Sequence, residues 1–128
     1  MNPLYATTKQ GTIGELIVQL RFLEHDVQAA APIKDSGNDL IAIRGKVFRA
    51  VQVRCTTRET IDKPDDDVLY DILAIVQLPL NDGRPLTRDA EIYLFSADEV
   101  PSLSGRVSNY REHHLFTPAL IDRLFEER

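Results

Sequence analysis

The run Leu69-Tyr70-Asp71-Ile72-Leu73-Ala74-Ile75-Val76-Gln77-Leu78 limits what this chain can fold into more than any other stretch, because only Asp71 and Gln77 interrupt its apolar character. A strand with one face in water alternates apolar and polar residues. A run without that alternation is expected to be a strand buried on both faces, at the middle of its sheet. It is also much shorter than the roughly 20 apolar residues that cross a bilayer. A sheet so buried needs a layer on each side, which predicts an α/β architecture. A chain of 128 residues is expected to form one such domain, 1–128, burying roughly two thirds of its unfolded surface.

Upstream of this run lies a hairpin. Ser36-Gly37-Asn38 is a turn cluster, Asp39-Leu40-Ile41-Ala42-Ile43 a short strand, Arg44-Gly45-Lys46 a reversal, and Val47 to Cys55 a longer strand rich in β-branched residues. Alternation puts Val47, Arg49, Val51, Val53 and Cys55 on one face of that strand, and Phe48, Ala50, Gln52 and Arg54 on the other. Asp39 stands at the mouth of the first strand, near the end of the second where Gln52 and Arg54 share a side. Cys55, on the side of Val51 and Val53, is expected to be a small buried apolar residue rather than a nucleophile.

The chain before the hairpin predicts a helix from about Thr8 to His25, with Ile13, Leu16, Ile17, Leu20 and Leu23 as its core stripe. Glu15 falls off that stripe, in line with Val18 and Phe22. Gly11 and Gly14 weaken the first turns, so either something packs against the backbone there or the helix starts late. Val27 to Ile33 reads as a short strand, with Pro32 marking an edge or an end. Beyond the apolar run, Asn81 to Pro85 is a turn, Glu91 to Phe95 a strand and Ser102 to Asn109 irregular. A short helix closes the chain, with Thr117 as N-cap, Pro118 in its first turn, and Leu120, Ile121, Leu124 and Phe125 on one face.

Several chemistries drop out. Lys63-Pro64-Asp65-Asp66-Asp67 lacks the glycine and terminal glutamate of a calcium loop. His113-His114 has no further ligand at metal spacing and reads as a loop pair, a minor contact to phosphate aside. There is no phosphate-binding glycine loop and no nucleophile elbow. Met1 to Lys9 lacks the basic start and apolar centre of a secretory signal, and one cysteine permits no internal disulfide, so a cytoplasmic protein is expected. The net charge of −5 hides an asymmetry. Residues 1–58 hold eight Lys or Arg against five Asp or Glu, and residues 59–128 hold seven against fifteen. The hairpin half is therefore the basic half.

The order of these residues resembles the PD-(D/E)XK nuclease superfamily, in particular its small endonuclease-like and Holliday-junction-resolvase-like members. Gly11-Thr12-Ile13-Gly14-Glu15 is similar to the family's helix signature, Gly37-Asn38-Asp39-Leu40 to its second-strand aspartate, and Gln52-Val53-Arg54 to its third-strand Glu/Gln-x-Lys. The resemblance covers roughly residues 7–78. Arg54 stands at the family's lysine position, and Thr56 to Val68 shows no helix of the kind usually found between the third and fourth strands.

That resemblance implies a restriction-endonuclease-like mixed sheet with an N-terminal helix and a short C-terminal helix packed on it. It implies a metal-dependent endonuclease acting on DNA, with Glu15, Asp39, Gln52 and Arg54 as catalytic residues. Asp39, Gln52 and Glu15 would be the ligands of a weakly bound Mg²⁺ or Mn²⁺. Lys9, Lys34, Arg44, Lys46, Arg49 and Arg58 would contact the nucleic acid, and a homodimer would let two sites cut two strands. A guanidinium, which stays protonated, clamps phosphate but is no base. Two alternatives therefore stand beside the enzyme: a catalytically inactive nuclease-fold protein binding nucleic acid or a protein partner, and an unrelated α/β interaction module. The bland account of the residues themselves is an Asp39–Arg54 ion pair that holds the hairpin together.

Overall fold

The computed structural model describes residues 6–32 and 39–127. The first helix, α1 (Ala6–Glu24), is followed by β1 (Gln28–Ala30), β2 (Leu40–Arg44), β3 (Val47–Thr56) and β4 (Ile72–Gln77). A two-strand ribbon, β5 (Leu80–Asn81) with β6 (Arg84–Pro85), precedes β7 (Glu91–Ser96). The main sheet runs β1-β2-β3-β4-β7. Only β3 and β4 pair in parallel; the other neighbours are antiparallel. The chain closes with short 3₁₀ turns, the one-turn α2 (Arg111–His114) and α3 (Pro118–Leu124).

Ile72 to Gln77 of the apolar run become β4, buried on both faces, whereas Leu69 ahead of it is 76% exposed. Ile72, Ala74 and Val76 enter one core, Leu73 and Ile75 the other. The middle position of the five-stranded sheet nevertheless belongs to β3, with β4 beside it. Asp71 clasps the two strands where β4 starts: its N–H donates to the Ala50 carbonyl at 2.8 Å, and its Oδ2 accepts the Ala50 N–H at 2.8 Å.

A parallel pair needs a crossover, usually helical, yet residues 57–71 make it without a helix. The second face is covered by later chain instead. Val100, Leu103 and Val107, from the 3₁₀ turns Ala97–Ser102 and Val107–Tyr110 and the link between them, pack over Leu73, Ile75, Tyr93 and Phe95. The first face is covered by α1 and α3. Thr117 caps α3 by accepting the Leu120 N–H at 3.2 Å, and Leu120, Ile121, Leu124 and Phe125 are buried. Among the described residues, no helix is long and apolar enough to cross a membrane.

The orientation of α1 differs from the sequence expectation. Gly14, Val18 and Phe22 face the sheet, and Ile13 and Ile17 lie partly against the core. Leu16, Leu20 and Leu23 are 58%, 62% and 61% exposed. The reason is Gly14: a Cβ there would lie 2.6 Å from the Cβ of Cys55 on β3. The helix thus lies on the strand at a distance only glycine permits, and Gln10 Nε2 donates to the Cys55 carbonyl at 2.5 Å beside it. Cys55 is half-buried, and burial pushes its thiol up to about 11, which keeps it protonated and unreactive.

The two glycines of α1 therefore predict opposite outcomes. A Cβ on Gly11 would meet nothing within 4 Å, so Gly11→Ala should stabilise by about 0.5–1 kcal/mol through helix propensity. Gly14→Ala should cost about 1–3 kcal/mol by overpacking against Cys55. Urea denaturation of the two variants measures both signs.

Candidate active site

Asp39 immediately precedes β2, at the end of the strand where the chain has just joined the sheet. Its N–H donates to the Val51 carbonyl at 3.1 Å, and its Oδ2 accepts the N–H of Val53 at 2.9 Å. The carboxylate therefore lies on the backbone of β3 between Gln52 and Arg54. The register agrees: Leu40 stands opposite Val51, so the preceding residue arrives beside Gln52. Gln52 and Arg54 stand opposite Leu73 and Ile75 of β4 and share their face of the sheet.

From the other side, the close seat of Gly14 on Cys55 carries the next residue, Glu15, to Asp39. Burial raises the pKa of Glu15, and the negative charge of Asp39 and a carboxyl–carboxyl hydrogen bond with it raise it further. Gln52 is only 7% exposed, and among the described residues its Oε1 has no hydrogen-bond partner; neither has the buried Nε of Arg54. A buried polar atom left unpaired costs about 1–3 kcal/mol, so each such atom calls for a reason. Among the described residues, Asp39 and Arg54 form no ion pair. The hairpin is held by the antiparallel β2–β3 ladder, which the Asp39 hydrogen bonds to Val51 and Val53 extend.

The donor set is two carboxylates and one amide oxygen, all hard ligands of the kind that Mg²⁺ and Mn²⁺ prefer. Among the described residues no group of three or more His, Cys, Asp or Glu could hold a metal ion, so a cation here would depend on the Gln52 amide as well as the two carboxylates. Such a cation would relieve the like-charge contact of Glu15 with Asp39, and the orphaned Oε1 of Gln52 offers it a third oxygen.

The basic residues divide into two groups. Lys9, Lys46 and Arg58 are exposed, and Arg58 is steadied by its N–H donating to Thr56 Oγ1 at 3.0 Å. Lys46 precedes β3 and Arg58 follows it, so they flank opposite ends of a strand that spans roughly 30 Å at 3.3 Å per residue. Arg49 corrects the sequence expectation of a nucleic-acid contact. It is buried, and its guanidinium donates to the carbonyls of Leu124 at 2.9 Å, Glu126 at 2.5 Å and Phe48 at 3.1 Å, fastening the end of α3. Arg44 is likewise engaged, with Asp122 on α3 at 2.5 Å. Lys34 lies outside the described residues, as do Ser36, Gly37 and Asn38 of the expected turn.

Two features go beyond the sequence expectations: Tyr70, to which they give no role, and His114, expected with His113 as a loop pair but placed on α2. Tyr70 packs at the edge of the second core; burial and the charge of Asp66 raise its pKa, while Arg54 opposes them, so the phenol senses the Arg54 charge. Its position just before β4 was the available signal. The second is the neighbour of an exposed His113: His114 Nε2 lies 2.7 Å from Glu99 Oε2, with the ring stacked on Phe95. Burial opposes ionisation of Glu99, but hydrogen bonds with His114 and Ser96 prevail and hold its pKa below the usual value. This pair ties α2 to the 3₁₀ turn and stands apart from Asp39.

No family model matches this sequence, and a comparison with curated proteins finds no match. Among solved structures, the chain is similar to a bacterial homing endonuclease, I-Ssp6803I, with a TM-score of 0.57 and 16% identity over 79% of this chain and 72% of that one. At such identity the likeness is one of fold. The mixed sheet with its N-terminal helix and short C-terminal helices is a nuclease-like fold.

The raised pKa of Glu15 makes a signed prediction. A carboxyl whose folded pKa exceeds its unfolded value favours folding while protonated, and that contribution is lost as pH rises through the folded pKa. Glu15→Gln should therefore raise the Tm of the metal-free protein at pH 7 and change it little at pH 4. Thermal melts at the two pH values, in chelator, check the sign.

Proposed function

We propose that this chain is a PD-(D/E)XK-type endonuclease that hydrolyses DNA phosphodiester bonds with weakly held Mg²⁺ or Mn²⁺. The observation that carries the reading is the meeting of Glu15 and Asp39, carboxyl to carboxyl, beside a buried Gln52 oxygen with no partner among the described residues. The arrangement opposes folding, since a carboxyl held against the Asp39 charge and an unpaired buried oxygen each cost free energy. Asp39, Glu15 and Gln52 are the ligands in this proposal. Bound there, the cation supplies charge neutralisation at the scissile phosphate and activation of an attacking water. An amide in place of a carboxylate weakens the hold.

Arg54 is the residue that clamps the phosphate and stabilises charge developing on it, because its fork matches phosphate oxygens and it stays protonated. It does not take a proton from water, so turnover is slow. Lys9, Lys46 and Arg58 supply the remaining positive charge for a DNA backbone. The same Arg54 favours a second reading, an inactive nuclease-fold protein that binds DNA or a protein partner. A cytoplasmic, single-domain protein is consistent with the lone half-buried cysteine and with an unbroken sheet from β1 to β7.

Plasmid nicking with Mn²⁺, read beside calorimetric metal titration, tests the chemistry. Wild type should nick slowly, and Asp39→Ala should abolish both nicking and the heat of binding. The double variant Gln52→Glu with Arg54→Lys restores a charged ligand and a side chain able to sit beside the attacking water. It should bind the cation more tightly and nick faster by on the order of tenfold or more. A folded double variant that neither binds metal nor cuts any DNA form would leave only the binding scaffold. For that scaffold, DNA affinity should fall steeply between roughly 50 and 200 mM salt, and a flat response would point to a protein partner.

A further inference from the structure

Between β4 and β7 the chain leaves the main sheet to make a separate two-stranded ribbon, β5 with β6. Asp82 and Gly83 form its turn with φ of 51° and 75°, the left-handed pair of a type I′ hairpin, whose twist matches that of the strands it joins. The Leu86 N–H donates to the Pro79 carbonyl at 2.8 Å and closes the base. Residues opposite each other in a ladder point to the same side, and successive pairs alternate. Leu80 and Pro85 therefore share one side, where they line a small cavity with Ile13, Thr57 and Leu78. Asn81 and Arg84 share the other side, and both are exposed. From this geometry we infer that the ribbon enters the major groove of duplex DNA, where Asn81 and Arg84 read base edges and make binding sequence-selective. The inference rests on the reading above of a chain that acts on DNA, and it gives that site a duplex of preferred sequence as its substrate.

Charge favours DNA as the occupant. In the acidic half of the chain, Arg106 and Arg111 are taken up by Glu59 and Glu91. Arg84 on the ribbon and Arg88 just after it are exposed, and among the described residues they form no ion pair. The same holds of Lys9, which lines the cavity under the ribbon, and of Arg58, next to Thr57 of that cavity. These cations are placed to take phosphates on either side of a groove while the tip between them meets bases. Asp82 at the tip repels phosphate, but a carboxylate accepts from the amino group of cytosine, as an arginine fork donates to guanine and an asparagine amide pairs with adenine. The major groove, about 12 Å wide, admits a two-stranded ribbon.

Placement agrees. Arg54 and Thr57 are separated by roughly 10 Å of chain at 3.3 Å per residue, and Thr57 touches the cavity on which the ribbon sits. That length is about three base-pair steps of roughly 3.4 Å. A duplex whose scissile phosphate lies at Arg54 therefore meets the ribbon about three or more base pairs away.

Selection from a pool of duplexes randomised in sequence, in chelator so that none is cut, tests the inference. The duplexes bound by wild type should share a motif. On the selected site, Asn81→Ala with Arg84→Ala should lower affinity about tenfold or more, and on unselected duplex by less than about threefold. Arg84→Lys keeps the charge but not the fork, so it should relax the preference at one base pair without changing the salt slope. Should the double variant lose its fold, Arg84→Lys alone decides. Arg88→Ala and Lys9→Ala should instead weaken all duplexes alike and lower the salt slope by about one each. A wild type that selects no motif, or that binds no duplex, would overturn the inference, and so would a motif that the folded ribbon variants leave intact. Plasmid nicking separates this from the chemistry. Nicking without sequence preference removes the ribbon's role and leaves the enzyme, whereas a selected motif without nicking removes the enzyme and leaves the ribbon's role.

Discussion

The close seat of α1 on β3 is the contact from which the rest of this structure follows. β3 is the middle strand, antiparallel to β2 on one side and parallel to β4 on the other, so whatever rests on it is held from both directions. Gly14 lets the helix backbone approach Cys55 to a distance that any side chain would forbid. That approach points Val18 and Phe22 into the first core and delivers Glu15 to Asp39 at the start of β2. A looser helix would leave Glu15 in solvent and Asp39 without a neighbouring carboxyl.

The candidate site stands where order and strain meet. The hydrogen bonds of Asp39 to Val51 and Val53 fix its carboxylate on the central strand, and the regular alternation of β3 presents Gln52 and Arg54 on one face. Against this order stand the carboxyl contact with Glu15 and the unpartnered atoms of Gln52 and Arg54. Among the described residues one other buried side-chain atom, His114 Nδ1, is also unpartnered, so it is the carboxyl contact next to Gln52 and Arg54 that marks this place as the candidate site. The nuclease-like fold shared with a homing endonuclease is consistent with that reading, but the chemistry must be argued from these side chains.

Positive charge is handled differently from what a count along the chain suggests. Two of the hairpin's arginines serve the fold: Arg44 pairs with Asp122, and Arg49 holds the carbonyls that end α3. This fastening also compensates for the missing crossover helix, because α3 completes the first face while the 3₁₀ turns complete the second. The exposed lysines and arginine that remain lie toward the two ends of β3 rather than in one cluster.

Periodicity along the chain determined the layered α/β architecture, the hairpin, the doubly buried strand and the closing helix with its Thr117 cap, because each is a local pattern of polar and apolar residues that admits one burial. The common face of Gln52 and Arg54 was legible for the same reason. Which stripe of α1 is buried was not: Leu16, Leu20 and Leu23 compete with Gly14, Val18 and Phe22, and hydropathy favours the leucines. Steric fit to Cys55, a residue far along the chain, decided for the glycine stripe. The roles of Arg44 and Arg49, the meeting of Glu15 with Asp39 and the cover on the second face likewise belong to tertiary structure alone, because each joins residues that only the completed sheet brings within reach of one another.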